Sequence, residues 1–215
     1  MPRKYVILLA ICLSVIALDQ WTKWVAVDEL TTRFEGQETF GQRADAFLST
    51  PEPGAYGLHY RPKRVVVLSE DFFRFRYAEN TGAAFSLFGD LPKNVRGPFF
   101  HLITLGAVAL ILLYFRRLDG ADPTHRWAIW GLPLVLGGAI GNYIDRLARG
   151  FVIDFLEAHW FHRAYWPAFN VADMAIVVGV GLMLVDGFLR KDVPAEQKSD
   201  EKAAKHAGNV ESKVS

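Results

Sequence analysis

The sequence predicts an α-helical membrane protein with four crossings and a small β-containing region on the outer side. Three observations carry this. Apolar residues make up 51% of the 215-residue chain, charged residues only 22%, and the apolar ones gather in four blocks at 6–25, 99–115, 127–144 and 169–189. Each block is roughly 17 to 21 residues long, about what is needed to cross ~30 Å of hydrocarbon at 1.5 Å per residue.

The first block follows a basic start, Arg3 and Lys4, in "MPRKYVILLAICLSVIAL". A basic start and an apolar run also describe a secretory signal peptide, but this run continues well past Cys12, so a retained first crossing is expected. Cys12 is the sole cysteine, which excludes an internal disulfide and a cysteine-based metal cluster. The second block, "FFHLITLGAVALILLYF", offers only His101 and Thr104 as polar residues, both near one end. A soluble helix would carry a polar stripe every three or four positions.

Between these blocks, residues 65–68 (Val, Val, Val, Leu) and the alternating Phe73, Arg74, Phe75, Arg76, Tyr77 flank a turn-like Ser69-Glu70-Asp71 and predict a β-hairpin. Residues 35–62 are rich in Gly and Pro and weakly patterned, so loop is expected there. The third block ends in "GGAIGNYIDRLARG", where Gly137 and Gly141 form a face for close helix contact. Pro167 and Asn170 suit a helix start, which places Asp173 in the opening of the fourth crossing.

Lys and Arg of short loops mark the cytoplasmic side. They occur at Arg3 and Lys4, in "FRRLDGADPTHR", and at Arg190 and Lys191. Both termini are then cytoplasmic, and residues 27–97 and 145–168 face outward. Residues 1–190 form one membrane domain and 191–215 a polar cytoplasmic tail. A net charge of +1 gives no support for a nucleic-acid partner.

Asp154 and Asp173 both fall at the outer edge of the membrane. Two carboxylates brought together in a low-dielectric site share a proton, and such a pair can activate a water while its protonated member polarises a carbonyl. Plainer readings of each remain open from spacing alone: Asp173 as a helix cap, Asp154 as a solvated loop residue. Asp19 with Lys23 and Asp145 with Arg149 are ordinary i to i+4 ion pairs by spacing. Asn80, after the hairpin, can cap the next segment. Ionisable groups in three of four crossings nevertheless point to a site.

Four stretches, "DQWTK" (19–23), "ENTGAAFSL" (79–87), "GGAIGNYIDRLARGFVIDF" (137–155) and "PAFNVADMAI" (167–176), together resemble the lipoprotein signal peptidase, or signal peptidase II, family. They occur in the family's order and span most of the chain. The resemblance implies a four-helix membrane aspartyl peptidase with a small extracytoplasmic β-cradle. It would cut just before the diacylglyceryl-modified cysteine of a prolipoprotein, with Asp154 and Asp173 as the catalytic pair. Asp19, Lys23, Asn80, Gly138, Asn142, Arg146, Asn170 and Ala172 match further motif positions and by resemblance shape the substrate site. No metal or cofactor is implied. The expected setting is a bacterial inner membrane, the partners lipids and a prolipoprotein substrate, and the state a monomer. The interval between Lys23 and Asn80 is longer than the family's usual one because of residues 35–62.

A proton-coupled transporter would use the same buried acids, but along a path through the midplane rather than near one face. A non-catalytic lipid-binding protein would tolerate Asp-to-Asn changes at both positions.

Overall fold

The computed structural model describes residues 2–54, 57–82, 92–161 and 163–191. The described chain runs α1 (Arg3–Leu30), α2 (Phe40–Leu48), β1 (Val66–Ser69), β2 (Phe73–Asn80), α3 (Lys93–Arg117), a 3-10 turn (Pro123–His125), α4 (Arg126–Arg149), β3 (Val152–Trp160), β4 (Ala164–Tyr165) and α5 (Val171–Lys191). All four apolar blocks are helical. Helices α1 and α4 extend beyond the blocks that predict them, because polar residues at their outer ends are satisfied inside the protein rather than by water.

Among the described residues, three helices are long and apolar enough to cross a membrane: Arg3–Leu30, Gly97–Arg117 and Pro123–Arg149, with Val171–Val185 a shorter apolar helix. Their outer faces carry exposed Leu102, Leu110, Leu113, Val177 and Leu184. Water does not tolerate so continuous an apolar surface; lipid does.

α4 is the central helix, packed against α5, α1 and α3. Glycines set the spacing. A Cβ on Gly138 would lie 2.3 Å from the Ala172 carbonyl oxygen, and one on Gly131 would lie 2.7 Å from that of Gly179. Backbone therefore meets backbone between α4 and α5. Gly137 and Gly141 serve the other neighbour, α1, where added Cβ atoms would strike Val15 and the carboxylate of Asp19.

The expected hairpin is β1 with β2, and it belongs to a four-stranded antiparallel sheet ordered β1-β2-β3-β4. β3 follows α4 after one turn, at Gly150 with φ +78°. Its buried run from Val152 to Leu156 sits between β2 and the main chain of Phe169. A bulge between Phe75 and Ala78 shifts the β2 register so that Ala78 stands opposite Asp154 and Asn80 opposite Val152.

Residues 35–62 are not all loop. They contain α2, whose Thr39 and Gln42 form a reciprocal capping box. Thr39 followed three residues later by Gln42 is a helix-start signature that the Gly and Pro content of the segment overshadows. The segment closes on itself: Thr31 bridges Pro62, Thr32 donates to the Arg61 carbonyl and Lys63 to that of Leu30. Phe34, Phe40 and Phe47 then gather around Trp24 of α1 at ring separations of 4.8 to 5.5 Å.

Two apolar clusters result. One lies around Leu8, Cys12, Phe115 and Leu132 within the helices; the other lies around Val27, Phe47, Tyr60, Phe151 and Ile153 at the sheet end. Between them along α1 and α4 come Asp19, Lys23, Asn142 and Asp145, all buried.

Candidate active site

Asp173 sits in the first turn of α5, and its main-chain N–H donates to Asn170 Oδ1 at 3.0 Å while Asp173 Oδ2 accepts from the Asn170 N–H at 3.2 Å. The capping role read from the sequence is therefore real. It also aims the carboxylate, because the helix start holds one oxygen and leaves the other to Asn142 Nδ2, which donates at 2.8 Å.

Asp154 projects from β3, 2% exposed, and is no solvated loop residue. Its Oδ1 accepts from Asn170 Nδ2 at 2.7 Å, and the side chain of Asn80 also hydrogen-bonds it. Asn170 thus touches both acids, Asp154 through its side chain and Asp173 through its main chain. Burial first, and the neighbouring Asp173 charge second, push the Asp154 carboxyl up to about 7 against the opposing pull of Asn80, Lys23 and Asn170. Both causes favour the protonated form of Asp154.

Beneath the acids lies a fully buried ionic layer. Lys23 Nζ donates to Asp19 Oδ2 at 2.8 Å, to Asn142 Oδ1 at 3.1 Å, and pairs with Asp145 Oδ2 at 2.9 Å. Asp145 also binds Arg149 and accepts from the Ile153 N–H at 3.1 Å, one residue before Asp154. Asp19 Oδ1 accepts from the Ala172 N–H at 3.1 Å, one residue before Asp173. Both acids are thereby tethered through their chain neighbours to one neutral set, Lys23 and Arg149 with Asp19 and Asp145.

The two spacing-derived ion pairs, Asp19 with Lys23 and Asp145 with Arg149, both form, but they join into one network that sequence spacing does not reveal. The signal for that network is a second i to i+4 pair in the layer already occupied by Asp19 and Lys23. Gln20, which lies within "DQWTK" but is not among the site residues the sequence singles out, bridges Asp19, Asp145 and the Gly141 carbonyl. Arg146 does not touch the acids directly. It donates to the Gly82 carbonyl at 2.8 Å and lies over the Phe100 ring. Gly138 and Ala172 act through the close backbone contact between α4 and α5. Asn80 Oδ1 accepts from the Gly82 N–H at 3.0 Å, an Asx turn that starts the segment after β2; the rest of the "ENTGAAFSL" stretch, from residue 83, lies outside the described residues.

A family model described as signal peptidase (SPase) II matches residues 11–189. The chain belongs to the signal peptidase II family. A lipoprotein signal peptidase of Anaeromyxobacter sp. (strain Fw109-5) is 41% identical over 210 residues, 94% of this chain and 95% of that one. Another, from Pseudomonas fluorescens, is 44% identical over 126 residues, 59% of this chain and 72% of its own. Among solved structures, a bacterial membrane enzyme superposes with TM-score 0.60 at 20% identity, covering 86% of this chain and 89% of that one, which shows a shared fold. Membership makes this chain a peptidase, and signal peptidase II enzymes remove signal peptides from prolipoproteins in the bacterial membrane.

Proposed function

We propose that this signal peptidase II is an aspartyl endopeptidase that cleaves before the diacylglyceryl-modified cysteine of prolipoproteins, with Asp154 and Asp173 activating one water. The observation that carries the reading is Asn170, which hydrogen-bonds both acids at the sheet end of a membrane helix bundle.

In this scheme Asp173, faced by two N–H donors, is the ionised member and accepts a proton from water as the water oxygen attacks the scissile carbonyl carbon. Asp154, the neutral member, gives its proton to the carbonyl oxygen, which yields a gem-diol. Collapse of the gem-diol breaks the C–N bond. The leaving amine of the cysteine takes the proton that Asp173 gained, and a gem-diol proton returns to Asp154. Asn142 and Asn170 hold the carboxylates, while Lys23, Asp19 and Asp145 hold the asparagines and the backbone.

The same reading takes all four helices as crossings, with both termini cytoplasmic and the sheet outside. Residues 1–190 are taken as one peptidase domain; the cytoplasmic tail expected at 191–215 lies, after Lys191, outside the described residues. A lipid-anchored substrate, its signal helix in the bilayer, then meets the acids where the membrane ends.

The test is cleavage of a diacylglyceryl prolipoprotein in detergent by purified Asp154→Asn and Asp173→Asn variants. Both are expected to be folded by circular dichroism and inactive. Substantial turnover by either overturns the mechanism.

A further inference from the structure

On the sheet side of the acids lies a cavity of 280 Å³, lined by Thr50 and His59 of the 35–62 segment, by Thr81, by His101 of α3, and by Arg146 and Arg149 of α4. Drug-sized ligands occupy roughly 300–1,000 Å³, so this space suits a single side chain with its peptide unit. Two of its lining residues carry buried nitrogens with no hydrogen-bond partner among the described residues, His101 Nδ1 and Arg149 Nε. Buried donors in folded proteins are almost always paired, and an arginine Nε–H can be satisfied only by an acceptor.

The charge of the cavity wall points the same way. Arg149 is balanced by Asp145, and His59 by Glu79 at 2.7 Å. Among the described residues Arg146 donates to main-chain oxygens, those of Gly82 and Asn142, and pairs directly with no carboxylate, although the charges of Asp145, Asp154 and Asp173 act on it from farther off. The wall therefore offers a guanidinium with no directly paired carboxylate among the described residues, two unpartnered nitrogens and the Thr81 hydroxyl, while the Thr50 hydroxyl donates to the Arg149 carbonyl.

The cavity borders the site through Arg146, which lines it and interacts electrostatically with both Asp154 and Asp173. Thr81 follows Asn80, which bonds Asp154, and Arg146 lies one helical turn after Asn142, which bonds Asp173. Under the peptidase reading the signal helix of the substrate lies in the bilayer and its mature segment lies on the sheet side of the acids, the side this cavity borders.

We propose that the cavity is a specificity subsite for the residue immediately after the lipidated cysteine, and that it favours an acidic side chain there, whose carboxylate meets His101, Arg149 and the Arg146 charge. The inference rests on the peptidase reading. It makes the 35–62 segment a roof of the substrate site, through Thr50 and His59.

Four diacylglyceryl lipopeptides that differ only at that position, with Asp, Asn, Leu or Lys, test it in the full-length enzyme. The parent should cleave the Asp peptide with kcat/KM about tenfold above the Leu peptide, the fold-change of one net hydrogen bond to a charged group. Within His101→Leu that ratio should fall toward one, and within His101→Gln, which keeps a donor and an acceptor, it should largely return. Equal cleavage of all four by the parent, or an Asp preference unchanged in His101→Leu, overturns the subsite and leaves the peptidase reading intact. Inhibition by added phosphatidylglycerol that ignores the substrate residue assigns the cavity to a lipid phosphate and also overturns it. Failure to cleave any of the four sinks the peptidase reading itself.

Discussion

Lys23 and Asp145, from the first and third of the four long helices, form a fully buried ion pair at 2.9 Å, and Asp19 shares the same ammonium. Removing one partner of such a set leaves an uncompensated charge away from water, which is far more damaging than the pair is stabilising. Lys23→Met should therefore destabilise the folded enzyme by about 3–5 kcal/mol. Adding Asp19→Asn restores neutrality to Asp145 with Arg149 and should recover part of the loss. Thermal unfolding of the two single variants and the double variant in detergent measures the coupling, and strictly additive losses would contradict a shared network.

The Asp154 carboxyl is pushed up to about 7 by burial first and by the Asp173 charge second, which disfavours its charged form. Asp173→Asn should move the Asp154 carboxyl downward, toward the ordinary carboxylate range, as read from its carboxyl carbon resonance or infrared band. A proton held at Asp154 is also needed for the proposed protonation of the carbonyl. The basic limb of kcat/KM should accordingly fall as pH rises through about 7.

The same shift has a stability consequence of definite sign. Between the unfolded carboxyl value and about 7 the folded protein binds the proton more tightly, so folded Asp154 is favoured below the unfolded value and that advantage is lost as pH rises through about 7. Asp154→Asn removes the burial of charge. Relative to the parent, the variant should gain roughly 3–4 kcal/mol of stability between pH 4 and pH 8. A difference in unfolding midpoint that does not change between pH 4 and pH 8 would refute this.

Gly138 lets α4 and α5 meet backbone to backbone, and an added Cβ would lie 2.3 Å from the Ala172 carbonyl oxygen. The residue displaced is the neighbour of Asp173. Gly138→Ala should lose about 1–3 kcal/mol and most of its activity. Gly106→Ala, where nothing lies within 4 Å of the new Cβ, should keep both.

Glu79 binds the 35–62 segment to β2: its carboxylate accepts from the main-chain N–H groups of His59 and Tyr60 and from the Tyr77 hydroxyl. Glu79→Gln sets an amide donor among donors and should loosen the segment by about 1–3 kcal/mol. Faster hydrogen exchange confined to residues 35–62 is the expected readout.

Much of this molecule is legible in its sequence because it depends on local chemistry. Hydropathy locates all four long helices, alternation locates the hairpin, and i to i+4 spacing locates both ion pairs of the buried layer. α2 escapes such a reading although its Thr39 and Gln42 cap is present, since a nine-residue helix among Gly and Pro is held more by the aromatic contacts of Phe47 with Trp24 than by its own propensity. β3 is hidden for a related reason: buried on both sides, "VIDFLEA" shows no alternation.

The sequence alone determined which segments are apolar enough for lipid, which residues are acidic at their ends, and, through four motifs in order, the family to which the chain belongs. Tertiary structure alone decided that Asn170 reaches both Asp154 and Asp173, that two separate ion pairs fuse around Lys23, and that residues 35–62 roof a cavity beside them. Helix and strand periodicities are written by neighbours a few positions apart. Convergence is written by packing, here by glycines that let α1, α4 and α5 approach closely enough for their polar groups to satisfy one another away from water.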